Sequence, residues 1–210
     1  MKNVLKSIIL LALAGTAQAD FSANVGWASD YYFRGILQSP SSPNGGLDYE
    51  SGGFYIGTWA ADVYDGLEVD GYFGYGADIG DVSLSIGYTG YFYTGDFDDT
   101  YQEINLGAGF GIVTLDVAIG KYDGDFDEIA AGDQDAYTYY ALTVEKNGFY
   151  GKYAGFAQDA SGSYFEAGYG TTVADIDLGL SLLVADKDLS ITGNTNESLI
   201  FTIGKTFDLD

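Results

Sequence analysis

The stretch LEVDGYFGYGADIGDVSLSIGYTGYFY, residues 67–93, reads as two strands meeting at Gly80-Asp81. Leu67, Val69, Phe73, Tyr75, Ala77 and Ile79 share one face of the first strand; Glu68, Asp70, Gly74, Gly76 and Asp78 share the other. In the second, Val82, Leu84, Ile86, Tyr88 and Phe92 oppose Ser83, Ser85, Gly87 and Thr89. A period of two marks a strand whose faces meet different surroundings. The pattern returns late in the chain, where Ile176, Leu178, Leu180, Leu182 and Val184 oppose Asp177, Gly179 and Ser181. In a soluble barrel the apolar face would turn inward. A face this small, polar and charged suits an aqueous lumen better, which leaves the apolar face to lipid.

The N-terminus supplies a compartment. Lys2 and Lys6 form a basic region, Ile8 to Ala14 an apolar one, and Ala17-Gln18-Ala19 a small-residue cleavage site. Residues 1–19 therefore read as a signal peptide, too short for a spanning helix, with the mature chain starting at Asp20. Nothing later reaches the roughly 18 consecutive apolar residues of a membrane helix, so a membrane destination requires strands. The competing reading is a soluble secreted β-protein.

Strands are expected at residues 21–34, 45–50, 54–61, 67–79, 82–93 and 101–110. Six more follow at 113–122, 136–145, 149–156, 163–172, 176–185 and 198–207. Short turns at Ser51-Gly52-Gly53, Gly80-Asp81, Gly111-Ile112, Asn147-Gly148 and Val173 to Asp175 alternate with longer polar connections. Asn-Gly is the strongest hairpin signal among them. The connection after the first strand, Gly35 to Asn44, holds both prolines, Pro40 and Pro43, and reads as a loop. The expected fold is all-β, a transmembrane antiparallel barrel of about 12 strands over residues 20–210. An even strand count leaves no open edge and puts both termini on the periplasmic side.

Composition narrows the function. The 210 residues include 31 glycines, 19 tyrosines and 13 phenylalanines, a mixture suited to strands and turns. Beyond the signal, six basic residues (Arg34, Lys121, Lys146, Lys152, Lys187, Lys205) face 31 acidic ones, so nucleic acid is excluded as a partner. There is no cysteine for a disulfide and no histidine to serve as a base. Small outer-membrane hydrolases that depend on a histidine are thereby excluded, and no other pairing of nucleophile and base stands out. No enzyme, cofactor or metal site is expected.

Aromatic residues gather near the strand ends. Phe21, Phe54, Phe110, Phe149 and Phe207 mark one rim and Tyr31, Phe33, Phe92 and Tyr140 the other, as interfacial girdles would. Alternation assigns Asp30, Tyr32 and Arg34 to one inward face, with Arg34 pairing Asp30, Glu68 or Asp70 as a clamp or a wall brace. Glu103, Lys152 and Glu166 are further pore-lining candidates, and Asp116 and Glu145 lie nearer the periplasmic end. Carboxylate-rich loops (Asp96, Asp98, Asp99; Asp123 to Asp135) lack the spacing of a calcium loop and read as solvated.

Residues 29–39 (SDYYFRGILQS), followed by Gly46-Leu47-Asp48-Tyr49 and by Gly53 to Ala60, resemble the start of the TorF-type porins. These are a proteobacterial family of conserved hypothetical outer-membrane proteins. The resemblance is sharpest over residues 20–61 and continues in length, hairpin rhythm and the ending Lys205 to Leu209. It implies an outer-membrane barrel with a pore role and no catalytic residues. Such barrels often end on an aromatic residue read by the assembly machinery; here Phe207 is followed by three more residues.

Two functions follow. The first is a narrow porin passing small solutes and preferring cations, because inward carboxylates outnumber Arg34 and Lys152. The second is a structural or adhesive barrel with a packed lumen. Either would sit in outer-membrane lipid beside lipopolysaccharide.

Overall fold

The computed structural model describes residues 20–124, 134–190 and 196–209. The signal segment lies outside them. Twelve strands run β1 (Asp20–Phe33), β2 (Ile36–Ser51), β3 (Phe54–Asp62), β4 (Leu67–Ile79), β5 (Val82–Tyr93) and β6 (Tyr101–Phe110). They continue as β7 (Val113–Tyr122), β8 (Asp135–Lys146), β9 (Phe149–Gln158), β10 (Ser163–Val173), β11 (Ile176–Ala185) and β12 (Asn196–Asp208). Each pairs antiparallel with its sequence neighbours, and β1 closes on β12, with Trp27 opposite Ile203. Closure gives every strand a partner on both sides and removes the edges that lipid could not solvate.

The five short turns gather at one end, here the turn end, with Asp20 and Leu209. The other connections gather at the loop end. Asn147 and Gly148 both have positive φ (55° and 84°), the geometry that matches strand twist in a two-residue hairpin.

The outward face is apolar. Leu67, Phe73, Tyr75, Leu84, Ile86, Phe92, Ile104, Leu115, Leu180 and Leu199 are all exposed. Their inward neighbours Glu68, Asp70, Glu103, Asp116 and Ser181 are buried. This inverts the soluble barrel and matches a chain whose solvent on the outside is hydrocarbon.

The first hairpin departs from expectation. In place of a loop at residues 35–44, β2 begins at Ile36 and pairs with β1 along nearly its whole length, through Trp27–Pro43, Asp30–Pro40 and Phe33–Ile36. The prolines are tolerated because the β2–β3 ladder begins only at Asn44–Ala61, so that side of their stretch has no ladder to supply with donors. A register shift between Tyr31 and Tyr32, with Ser41 at φ 58°, bends the hairpin. Arg34 and Gly35 form the tip at φ 50° and 88°. Arg34 therefore occupies a turn, not the strand face that alternation assigned it.

Candidate functional site

The bent tip folds into the lumen. Arg34 donates through both terminal nitrogens to Glu103 on β6, at 2.7 and 2.6 Å. β6 stands far around the ring from β1, so the side chain bars the lumen. Tyr91 on β5 and Tyr137 on β8 each donate to the same carboxylate at 2.8 Å. The guanidinium also lies 4.2 Å from the ring centre of Tyr139 and 4.8 Å from that of Phe33. A bidentate ion pair with two phenol donors and two ring faces gives both charges the partners that burial demands.

Residues around Arg34 complete the plug. Tyr31 donates to Glu68 on β4 and packs edge-on to Trp59 of β3 at 5.6 Å. Tyr32 accepts from Asn196 on β12 at 3.1 Å. Phe33 meets Tyr91 at 5.1 Å. A Cβ on Gly35 would lie 2.7 Å from Tyr164 of β10 and 2.9 Å from Leu189 beyond β11, so glycine is required by space as well as by φ. Beneath the tip, Tyr139, Ala141, Ala154, Tyr164, Leu183 and Ile200 form one cluster, with Tyr139 and Tyr164 hydroxyls 2.9 Å apart.

The consequence is closure at this level. Glu68, Asp70 and Glu103 are 0%, 3% and 2% exposed, values incompatible with an open aqueous passage beside them. Toward the turn end the lining changes to Gly74, Gly76, Ser83, Ser85, Gly107, Thr114, Gly179 and Gly204. The tyrosines there lie along the wall. Tyr55 reaches over Gly74 and Gly87, Tyr72 over Gly57 to Asp48, and Tyr150 over Gly168 to Glu166.

Of the seven pore-lining candidates, Arg34, Glu68, Asp70 and Glu103 come together at the plug. Lys152 and Glu166 face each other across β9 and β10, 3.6 Å apart and largely buried, away from it. Asp30 joins neither group; its side chain accepts from adjacent Ser29 at 3.4 Å. The expected partners of Arg34 are thus corrected. Asp30, Glu68 and Asp70 do not bond it, and Glu103 does, because the bulge and the turn carry the guanidinium past its own strand face. Tyr31 and Phe33 are corrected too, from an outer girdle to the plug, whereas Phe92, Tyr140 and all five residues of the other rim are exposed on the outside. Sequence reading missed Tyr91, Tyr137, Tyr139 and Tyr164, for which period-two parity was the available signal. In the acidic loop, Asp98 accepts from Tyr101 at 3.0 Å and Tyr122 at 2.7 Å, while residues 125–133 lie outside the described residues.

Among solved structures, a chain described under "Unveiling the Mechanism Behind the in-meso Crystallization of Membrane Proteins" is similar at 10% identity and a TM-score of 0.58. The match covers 91% of this chain and 84% of that one. The outer membrane protein opdK from Pseudomonas aeruginosa matches at 14% identity and TM-score 0.43, over 81% of this chain and 58% of that one. A BenF-like porin from Pseudomonas fluorescens Pf-5 matches at 14% and 0.41, over 87% and 59%. The chain thus spans somewhat over half the length of these two porins. The likeness speaks to the barrel fold. A search of curated proteins finds no match. A family model described as "Bacterial protein of unknown function (Gcw_chp)" matches residues 12–207, and attaches no TorF-type name. On a match that runs from the N-terminal segment into the last strand, this barrel belongs to the Gcw_chp family of bacterial proteins.

Proposed function

We propose that the protein is a narrow porin-like channel of the outer membrane, passing small solutes passively, with its turn end in the periplasm. One observation carries the reading. The lumen is closed by the tip of a single hairpin and not by the wall. Eight strands are filled by their own side chains, whereas twelve enclose more space than that. Here a bent, proline-bearing segment, without a backbone ladder to β3 over half of β2, fills the excess. Passage requires this tip to yield, so the resting conductance is small.

Cation preference follows from the lining. Inward positions include Asp48, Glu68, Asp70, Glu103, Asp116, Glu145 and Glu166 against Arg34 and Lys152, and a lumen of one sign enriches counter-ions. The outward aromatic residues would sit at lipid headgroups, beside lipopolysaccharide on the loop side. Phe207, exposed at the turn end, is the residue an assembly machinery would read.

The test is conductance in planar bilayers, comparing wild type with a barrel in which residues 32–37 are replaced by a two-residue Asn-Gly turn. A low, cation-selective wild-type conductance and a several-fold larger one after trimming support the channel. The same packed tip also favours a second reading, a structural barrel without transport. A trimmed barrel that folds, yet stays silent, would establish it. Orientation is tested separately. An epitope at Asn147 should need a permeabilised outer membrane, while one between Asp127 and Gly132 should be reached on intact cells.

A further inference from the structure

The plug leaves one charge unaccounted for. Glu68 and Asp70 stand two residues apart on the inward face of β4, with Trp59 of β3 and Tyr91 of β5 directly beside Asp70 in register. Both Glu68 oxygens are served, one by Tyr31 and the other by Tyr93 at 3.0 Å. Asp70 is not. Its Oδ1 is fully buried and has no hydrogen-bond partner. The nearest cation chemistry on the chain is already committed, since both terminal nitrogens of Arg34 go to Glu103 and Lys152 is with Glu166. Among the described residues, no salt bridge reaches Glu68 or Asp70. Of the three carboxylates buried at the plug, the one guanidinium therefore serves only Glu103. An unpaired carboxylate oxygen withdrawn from water is strongly unfavourable unless something neutralises it.

We propose that a small monovalent inorganic cation of sodium or potassium size is held beside Asp70, between Glu68 and the indole of Trp59. The chemistry selects the charge. Among the described residues no three acidic side chains converge as metal ligands, so the oxygen cage of a divalent ion is not built. One free carboxylate oxygen, a second carboxylate two residues away and the aromatic neighbours Trp59 and Tyr91 in register suit a single positive charge. The enclosure excludes a bulky organic cation. This inference deepens the channel reading, and rests on it only for the claim that the ion lies on the conduction path.

The test uses the purified full barrel at fixed ionic strength and pH 8, comparing its unfolding temperature in KCl, NaCl and choline chloride. Binding to the folded state alone raises Tm, and for a barrel of this size occupancy gives a rise of about 2–4 °C in KCl or NaCl over choline. Asp70→Asn should remove that difference. Equal Tm in all three salts, or a difference that survives Asp70→Asn, overturns the site. A Tm indifferent to the salt yet raised by Asp70→Asn shows that a proton, not a metal ion, neutralises Asp70. Should Asp70→Asn not assemble, wild-type crystals soaked in thallium(I) replace it. An anomalous peak beside Asp70 supports the site, and its absence there sinks it. Cation-dependent Tm in a barrel that never conducts keeps the site and removes the channel, and a conducting barrel without the Tm difference does the reverse.

Discussion

The two halves of the lumen use tyrosine in opposite ways. At the turn end, Tyr55, Tyr72 and Tyr150 lie along the wall over glycines, where a Cβ would come within 2.3 to 2.6 Å of the ring or its hydroxyl. At the loop end, Tyr91, Tyr137, Tyr139 and Tyr164 close around a hairpin tip and a charge pair. A glycine opposite a tyrosine lets the ring flatten, and Gly120 does this for Tyr137 at the loop end as well, so what fills the bore there is the inserted segment. The difference teaches that residue type alone does not say whether a lumen is open. The presence of an inserted segment does.

The charge pair is where the contrast should break most visibly. Glu103→Ala strands the buried Arg34 guanidinium and should cost about 3–5 kcal/mol, read from urea unfolding of the detergent-solubilised barrel. A loss under 1 kcal/mol would mean the tip is loosely seated. At the turn end, Gly74→Val forces a Cβ to 2.3 Å from the Tyr55 hydroxyl and 2.5 Å from the Ile86 carbonyl. It should cost about 1–3 kcal/mol by overpacking, and lower any conductance by tipping Tyr55 toward the axis. Unchanged stability would show that the ring is not pinned to the wall.

Smaller changes sharpen the same comparison. Tyr139→Phe deletes the 2.9 Å hydroxyl contact with Tyr164 while keeping the ring under Arg34, and should cost about 0.5–1.5 kcal/mol in the same assay. A larger loss would assign the hydroxyl pair a greater part in the plug than the ring. Gly204→Ser is expected to do least. A Cβ there meets nothing nearer than 3.4 Å, so stability should stay within about 0.5 kcal/mol. A clear destabilisation would show the turn-end lumen to be tighter than its lining implies.

Much of the fold was legible because period two and turn chemistry are local. β1 and the ten strands from β3 to β12 fall within a few residues of their expected positions, and Gly52-Gly53, Gly80 and Asn147-Gly148 punctuate the chain with positive φ. The exception, the first half of β2, lacked a local signal. The turn before it is Arg34-Gly35, and arginine is a poor marker of a left-handed turn position; the prolines argued for a loop, and only the absence of a backbone ladder to β3 excuses them. A single bulge at Tyr31–Tyr32, beside the turn, goes with Tyr31 and Phe33 joining Tyr32 and Arg34 inside, where alternation put Tyr31 and Phe33 on the outer face.

The sequence by itself determined that twelve alternating strands present an apolar face outward and a charged one inward, because parity along a strand is written residue by residue. It also determined that a strongly acidic lumen would have few cations to share. Tertiary structure decided which acid Arg34 meets. Glu103 lies 69 positions along the chain and around the barrel, a pairing set by barrel closure, the inward bend of one hairpin and the burial of both groups. It decided as well that Asp70, indistinguishable in sequence from Glu68 as an inward acid, is left without a partner on Oδ1, because the phenols of Tyr31 and Tyr93 reach the one carboxylate and not that oxygen of the other.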